Sequence, residues 1–250
     1  GEQLIPFEKL TTNDIVMIPA FGAPLQLIAL LENRGIQTEK YNTTCPFVER
    51  VWKKSTQIGK SNHTIIIHGK HNHEETKSTF SRSEIDSEAV IVIRDLNEAK
   101  LLAEFISGKK NQQEFEIQFK GKFSNGFDIA KHLEKIGVIN QTTMLATETA
   151  EITEYLKQQL ILKFGIDNIK NHFAETHDTL CYATNENQDA TYGLLETDAD
   201  IAIVVGGYNS SNTSHLVELC EKKFTTFFIN NANQIISENV INHFDYPNKK

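Results

Sequence analysis

The sequence predicts an α/β fold with largely parallel sheets, and three observations carry that expectation. Six short runs rich in Ile and Val, at residues 14–19, 64–68, 89–94, 137–142, 200–205 and 225–229, are almost continuously apolar. That is the pattern of strands covered on both faces. Helical stretches fall between them, at 24–33, 46–60, 96–106, 149–164, 185–197, 213–223 and 232–239. Strand and helix alternate along the chain, as crossover connections in parallel sheets require.

Taken in order, the elements carry their own boundary signals. Pro24 and Pro46 sit where first helical turns begin, where a missing N–H costs nothing. Gly35 and Gly165 follow helical stretches and can supply the left-handed residue of a C-cap. The run 64–68 leaves through HGKHNHEET, 137–142 through NQTTM with Thr147 as a cap for the next helix, and 200–205 through GGYNSSN. Residues 108–128 break the alternation: polar, charged and punctuated by glycine, they read as a surface insertion or β-hairpin excursion.

Composition narrows the classes. The 250 residues suffice for one large domain or two to three small ones. Lys+Arg 25 against Asp+Glu 33 gives −8, which excludes a generally basic nucleic-acid binder. No apolar run approaches the roughly 18 residues of a membrane span. The opening GEQLIPFEKL lacks a basic start followed by an apolar stretch, so no signal peptide is visible. Three cysteines are too few, and odd in number, for a disulfide framework, which points to a reducing compartment.

Cys45, followed by Pro46 in TTCP, falls near a helix N-terminus, where unpaired N–H groups and the macrodipole favour negative charge. It is a candidate nucleophile or metal ligand; the competing reading is a small buried residue at a strand–helix junction. Cys181, in DTLCYAT with Asp178 and Thr179 upstream, has similar surroundings. Two thiols at helix starts, far apart in sequence, look like ligands from separate structural units. Cys220 lies mid-helix beside apolar positions and reads as core.

His68, His71 and His73, with Glu74 and Glu75, leave an apolar strand. Such a cluster suits proton transfer or anion binding, with zinc as the competitor and a merely His-rich loop as the bland reading. The zinc-protease pattern HExxH is absent. In VVGGYNSSNTSHL, an apolar strand meets a Gly-Gly turn and then Asn209, Ser210, Ser211, Asn212 and Thr213. Backbone N–H groups, hydroxyls and amides there can cradle phosphate without cations, or can simply cap a helix. Gln141, Thr142 and Thr143 repeat that logic more weakly.

The ordered set TTCP, HGKHNHEET, NQTTM, CYAT–QDA and GGYNSSNTSHL resembles the 4-hydroxy-3-methylbut-2-enyl diphosphate reductase (LytB) family over essentially the whole chain. PAFGAP and the HEET segment look like the plant and cyanobacterial branch, with Phe21 where many bacterial members carry a histidine. The resemblance implies three similar α/β units in a pseudo-threefold arrangement around a 4Fe–4S cluster bound by one cysteine per unit. Residues 1–44 would be the remainder of an incomplete first unit, 45–175 the second with its polar insertion 108–128, and 176–250 a C-terminally truncated third.

Carried over by motif, Cys45 and Cys181 are cluster ligands, the third protein ligand being missing from this chain. Glu75 delivers a proton, His73 lines the substrate pocket, and Thr142 lies near the substrate hydroxyl. Ser210, Ser211 and Asn212 bind diphosphate. The implied activity is an iron–sulfur oxidoreductase of non-mevalonate isoprenoid biosynthesis that removes the 4-hydroxyl and yields isopentenyl and dimethylallyl diphosphate. Ferredoxin or flavodoxin would supply electrons, in a bacterial cytoplasm or a plastid, with no nucleic acid or membrane as partner. Absence of the family's first-cysteine motif and of its closing segment makes the chain read as a fragment. A diphosphate-binding module with an incomplete metal site is the alternative, and a zinc hydrolase at 68–75 a third. The common premise is that the Cys45 and Cys181 sulfurs meet at one iron centre beside a pyrophosphate pocket.

Overall fold

Five of the six apolar runs become strands, and every pairing among them is parallel. The computed structural model describes residues 4–175 and 179–246. They fall into two compact units, Gly1–Thr142 with Thr147–Thr179, and Thr143–Ala146 with Leu180–Lys250. In the first lie α1 (Leu25–Asn33), α2 (Pro46–Lys60), β1 (Thr64–His68), α3 (Glu74–Asp86), β2 (Val90–Ile93), α4 (Leu96–Ile106), α5 (Gln112–Gln118) and α6 (Ile129–His132). β3 (Ile136–Asn140), α7 (Ala146–Phe164), α8 (Ile169–His172) and β4 (Phe173–Ala174) complete it, apart from Ala146 itself. The second holds α9 (Tyr182–Leu195), β5 (Ile201–Val205), α10 (Ser211–Cys220), β6 (Thr225–Ile229), β7 (Ile235–Ser237) and β8 (Val240–Ile241).

The first sheet has the order β2-β1-β3-β4. Alternate residues of β1 feed opposite cores, as the two-residue period of a strand dictates. Ile66 packs with Ile91, Ile93, Val138, Leu102, Ile152 and Leu156. Ile65 and Ile67 face Val51 and Ile58 of α2. All of β1, β2 and β3 is buried, as expected of a doubly covered sheet. In the second unit β5 pairs with β6, but Ile201, Ile203 and Val205 remain exposed while Ala202 packs on Cys220 and Phe224. Cys220 is thus core, as read. No helix among the described residues is long and apolar enough to cross a membrane.

Four local expectations are corrected. Residues 14–19 make no strand: Ile18 forms one isolated parallel bridge with Asn42, and Ile15 and Met17 are exposed. α3 was not anticipated, because its buried face is made of Thr76, Ser78, Thr79, Ser81 and Ser83 instead of apolar residues. Its hydroxyls find partners: Ser83 with Ser55 at 2.6 Å, Thr79 accepting from the Trp52 indole at 3.2 Å, and Ser78 donating to the Ala23 carbonyl at 3.1 Å. Residues 232–239 form a short 3-10 turn and the β7–β8 hairpin instead of a helix. Thr147 lies inside α7, which starts at Ala146, instead of at the position before it.

The segment 108–128 is no hairpin either. Asn111 and Glu114 close a capping box at the start of α5. Phe115, Phe119 and Phe127 are buried against Phe105, and Phe115 stacks on Phe127 at 4.8 Å. Phe123 bridges to Ile91 on the edge of β2. Aromatic anchors at 115, 119, 123 and 127 therefore pull a polar segment onto the core. Phe115→Ala should cost about 3–5 kcal/mol in urea unfolding of the protein. A loss below about 1 kcal/mol would mean that the segment is a solvated excursion after all.

Candidate active site

The site in the first unit is built by topology. β1 and β3 are neighbours, with His68 opposite Asn140, and the Gln141 N–H extends the ladder to the His68 carbonyl at 2.8 Å. From β1 the chain leads to β2, and from β3 to β4, on opposite sides of the pair. The loops at their carboxyl ends therefore part, which is where open parallel sheets place ligands.

Into this opening the loop after β1 delivers Glu75. His73 is the N-cap of α3, its Nδ1 accepting the Glu75 N–H at 3.2 Å. With Nδ1 an acceptor, a neutral ring carries its proton on Nε2. Burial holds the His73 imidazole below its ordinary value, reinforced by Lys70 and Lys77 and opposed by Glu74. His73 is half-buried, and the exposed edge of Phe21 meets its ring at 6.2 Å. Glu75, in the first turn, is 3 % exposed. Its Oε1 accepts the Thr142 N–H at 2.6 Å and its Oε2 the Thr142 hydroxyl at 2.9 Å. Burial raises the carboxyl above its ordinary value, and the two Thr142 bonds pull it back only in part.

Cys45 stands at the N-cap of α2, with Pro46 in the first turn. Its N–H donates to the Ala20 carbonyl at 2.8 Å, one residue from Phe21, and its thiol makes no cap hydrogen bond. The structure thus brings Glu75, Thr142 and His73 together. His68 and His71 do not join them as a donor set. His68 is wholly buried with Nδ1 2.9 Å from the Thr149 hydroxyl, and His71 is exposed in the turn. Among the described residues no three His, Cys, Asp or Glu side chains are grouped so that they could hold a metal.

The second unit repeats the local plan. Cys181 is the N-cap of α9, again with no cap hydrogen bond from the thiol. Ser210 is the N-cap of α10, accepting the Thr213 N–H at 3.3 Å. Ser211 and Asn212 begin the helix, where backbone N–H groups lack intrahelical partners. The Asn212 Oδ1 is buried without a hydrogen-bond partner. Gly206 is needed for close approach, since a Cβ there would lie 2.5 Å from the Thr213 hydroxyl.

Three polar residues make contacts to which the sequence reading assigned no role. Asn140 and Thr179 clamp each other, the Thr179 hydroxyl donating to Asn140 Oδ1 and the Asn140 N–H donating back at 3.3 Å. Gln188, 1 % exposed on α9, accepts the Ala146 N–H and donates to the Met144 carbonyl, both at 3.0 Å. The amides in NQTT and QDA were visible, but their partners lie too far along the chain to be read from spacing. Asp178 lies outside the described residues.

Comparisons with known proteins agree with this architecture. The family model described as LytB protein matches residues 2–245. A 4-hydroxy-3-methylbut-2-enyl diphosphate reductase from Prochlorococcus marinus (strain AS9601) is 43% identical over 239 residues, 95% of this chain and 58% of its own length. A chloroplastic reductase from Botryococcus braunii is 41% identical over 233 residues, 90% of this chain and 45% of its own. Among solved structures, the E-1-hydroxy-2-methyl-but-2-enyl-4-diphosphate reductase of Plasmodium falciparum superposes with a TM-score of 0.65 at 23% identity, covering 94% of this chain and 63% of that one. That likeness concerns the fold. The chain thus spans about half the length of the curated relatives it matches.

Between the ordinary carboxyl value of 4.5 and its raised folded value, Glu75 binds its proton more tightly in the folded chain than in the unfolded one. Its contribution to stability is therefore full at low pH and is lost as pH rises through that window. Glu75→Gln should flatten this part of the stability–pH curve, read from urea midpoints. Superimposable curves for both proteins would show that burial does not raise Glu75.

Proposed function

The chain belongs to the LytB protein family, and on that footing we propose that the protein it comes from reduces 4-hydroxy-3-methylbut-2-enyl diphosphate. Two electrons and two protons replace the 4-hydroxyl by hydrogen and release water, giving isopentenyl and dimethylallyl diphosphate. The observation that carries this reading is Glu75: a buried carboxyl that favours its proton, doubly bonded to Thr142 where two strand ends part.

Glu75 gives its proton to the leaving oxygen, which general acid catalysis makes worth about 10²–10⁴-fold in rate. Thr142 orients that carboxyl and lies beside the substrate hydroxyl. The His73 Nε2–H lines the pocket as a neutral donor. Ser210, Ser211 and Asn212 take the diphosphate through hydroxyl, amide and backbone N–H donors, a remote anchor that positions the allyl group.

Cys45 and Cys181 fit a 4Fe–4S cluster by their chemistry. Each thiol is partly exposed, makes no cap bond and stands at a helix N-terminus. Each would supply one thiolate to such a cluster. When bound, the cluster supplies electrons and an open iron able to polarise the hydroxyl. Ferredoxin or flavodoxin is the reductant, in a bacterial cytoplasm or a plastid.

Anaerobically purified full-length protein should contain iron and sulfide and turn over the hydroxylated diphosphate. Cys45→Ser and Cys181→Ser should each lower bound iron. Glu75→Gln should keep the iron and lose about 100-fold or more in turnover. Full-length protein with neither cluster nor turnover would overturn the reading. These 250 residues, reconstituted alone, separate a competent core from a diphosphate-binding module, by turnover against pyrophosphate binding without it.

A further inference from the structure

Gln141 immediately precedes Thr142 and is 2 % exposed. Its Oε1 accepts two hydrogen bonds, from the Lys70 N–H and from the Thr76 hydroxyl, each 3.1 Å long. One side-chain oxygen thus grips both ends of the connection between β1 and α3. Lys70 lies near its start, and Thr76 lies in the first turn of the helix directly after Glu75. The contacts form two adjacent rungs, Gln141 to Thr76 and Thr142 to Glu75. Space is as restricted as bonding. A Cβ on Gly69 would come within 2.8 Å of the Thr76 hydroxyl and 3.0 Å of the Gln141 Cβ.

We propose that Gln141 is a positioning residue for the proton donor: with Thr76, and the clearance left by Gly69, it locks the loop 69–76 so that the Glu75 carboxyl stays registered on Thr142. This rests on the reading of Glu75 as proton donor. Glu75 alone has two bonds to one residue, about which the loop could still pivot. The second rung, one residue away, removes that freedom. Removing the Gln141 carbonyl also takes an acceptor from the buried Thr76 hydroxyl and from the half-buried Lys70 N–H, so the loop is no longer held at either end. A displacement of about 1 Å is enough to cost up to a hundredfold in a reaction that depends on orientation.

The test uses full-length protein with its cluster. Gln141→Ala and Thr76→Val should each lower kcat roughly tenfold to a hundredfold, leaving KM for the diphosphate and iron content near wild type. Thr76→Ser, which keeps the hydroxyl, should retain kcat, and the double variant should be no worse than the poorer single one, because both cut one interaction. In cluster-free protein, Gln141→Ala should speed hydrogen exchange at the Lys70 amide. Wild-type kcat in a folded Gln141→Ala protein overturns the proposal, as does a loss in Thr76→Ser equal to that in Thr76→Val. Should Gln141→Ala not fold, the Thr76 pair decides. Full turnover by Glu75→Gln would instead defeat the proton-donor reading, with Lys70 exchange still reporting on the clamp.

Discussion

The parallel register of β1 against β3 is the constraint on which the chemistry of the first unit depends. Thr64 faces Ile136 and His68 faces Asn140, and the Gln141 N–H carries the ladder one step further. Although the chain leaves β1 and β3 toward opposite neighbours, the 69–76 and 141–142 segments meet at the strand ends through Lys70–Gln141, Thr76–Gln141 and Glu75–Thr142 hydrogen bonds. A slip of one residue would turn the strand's side chains to the other face. The apolar layers forbid it: Ile65 and Ile67 would exchange places with Ile66, each in a core already filled from the opposite side. The polar site thus takes its geometry from the aliphatic packing of the strands that carry it.

How much of this was legible in the sequence follows from what kind of contact makes each part. Strands β1, β2, β3, β5 and β6 were readable because their signal is local: short runs with three to five apolar residues close together. α3 was not, since a helix recognised by apolar spacing is invisible when its buried face is hydroxyl. Its mean character is polar, yet Ser78, Thr79 and Ser83 are 2 % exposed or less. Small side chains there let α2 and α3 pack closely, with Ser–Ser and Trp–Thr bonds in place of leucines. Boundary signals were nonetheless present, with Glu74 and Glu75 in the first turn. In 108–128, polar composition hid phenylalanines whose four-residue spacing marked the segment as anchored.

The candidate site was legible for a different reason: its chemistry sits at helix starts. Cys45 (φ −65, ψ 134), His73 (−75, 138), Cys181 (−74, 131) and Ser210 (−81, 116) all occupy N-caps with nearly the same backbone. That conformation points a side chain toward the unpaired N–H groups of the first turn. His73 and Ser210 spend an acceptor on those groups, whereas the two thiols leave theirs unbonded. Short motifs such as TTCP and NSSN encode this local frame. What they do not encode is the amide scaffolding. Gln141 and Thr76 are 65 residues apart, and Asn140 and Thr179 are 39 apart, so only folding brings them together.

The Glu75 environment sets opposing forces against one another. The helix N-terminus favours a carboxylate by roughly 0.3–1 kcal/mol, and hydrogen bonds to a charged group by about 1.5–3 kcal/mol each. Removing an ion from water costs several kcal/mol in real proteins. The carboxyl is held above its ordinary value, so burial wins. Which oxygen keeps the proton then follows from the donors. Oε1 accepts from a backbone N–H, which cannot reverse its role, and an unprotonated carbonyl-type oxygen is the better acceptor there. Oε2 faces a hydroxyl, which can donate or accept. In a protonated carboxyl Oε2–H would therefore donate to the Thr142 Oγ1, reversing the bond that the hydroxyl makes to a carboxylate. The choice of oxygen is thus fixed by the one donor in the arrangement that cannot reverse its role, the Thr142 N–H.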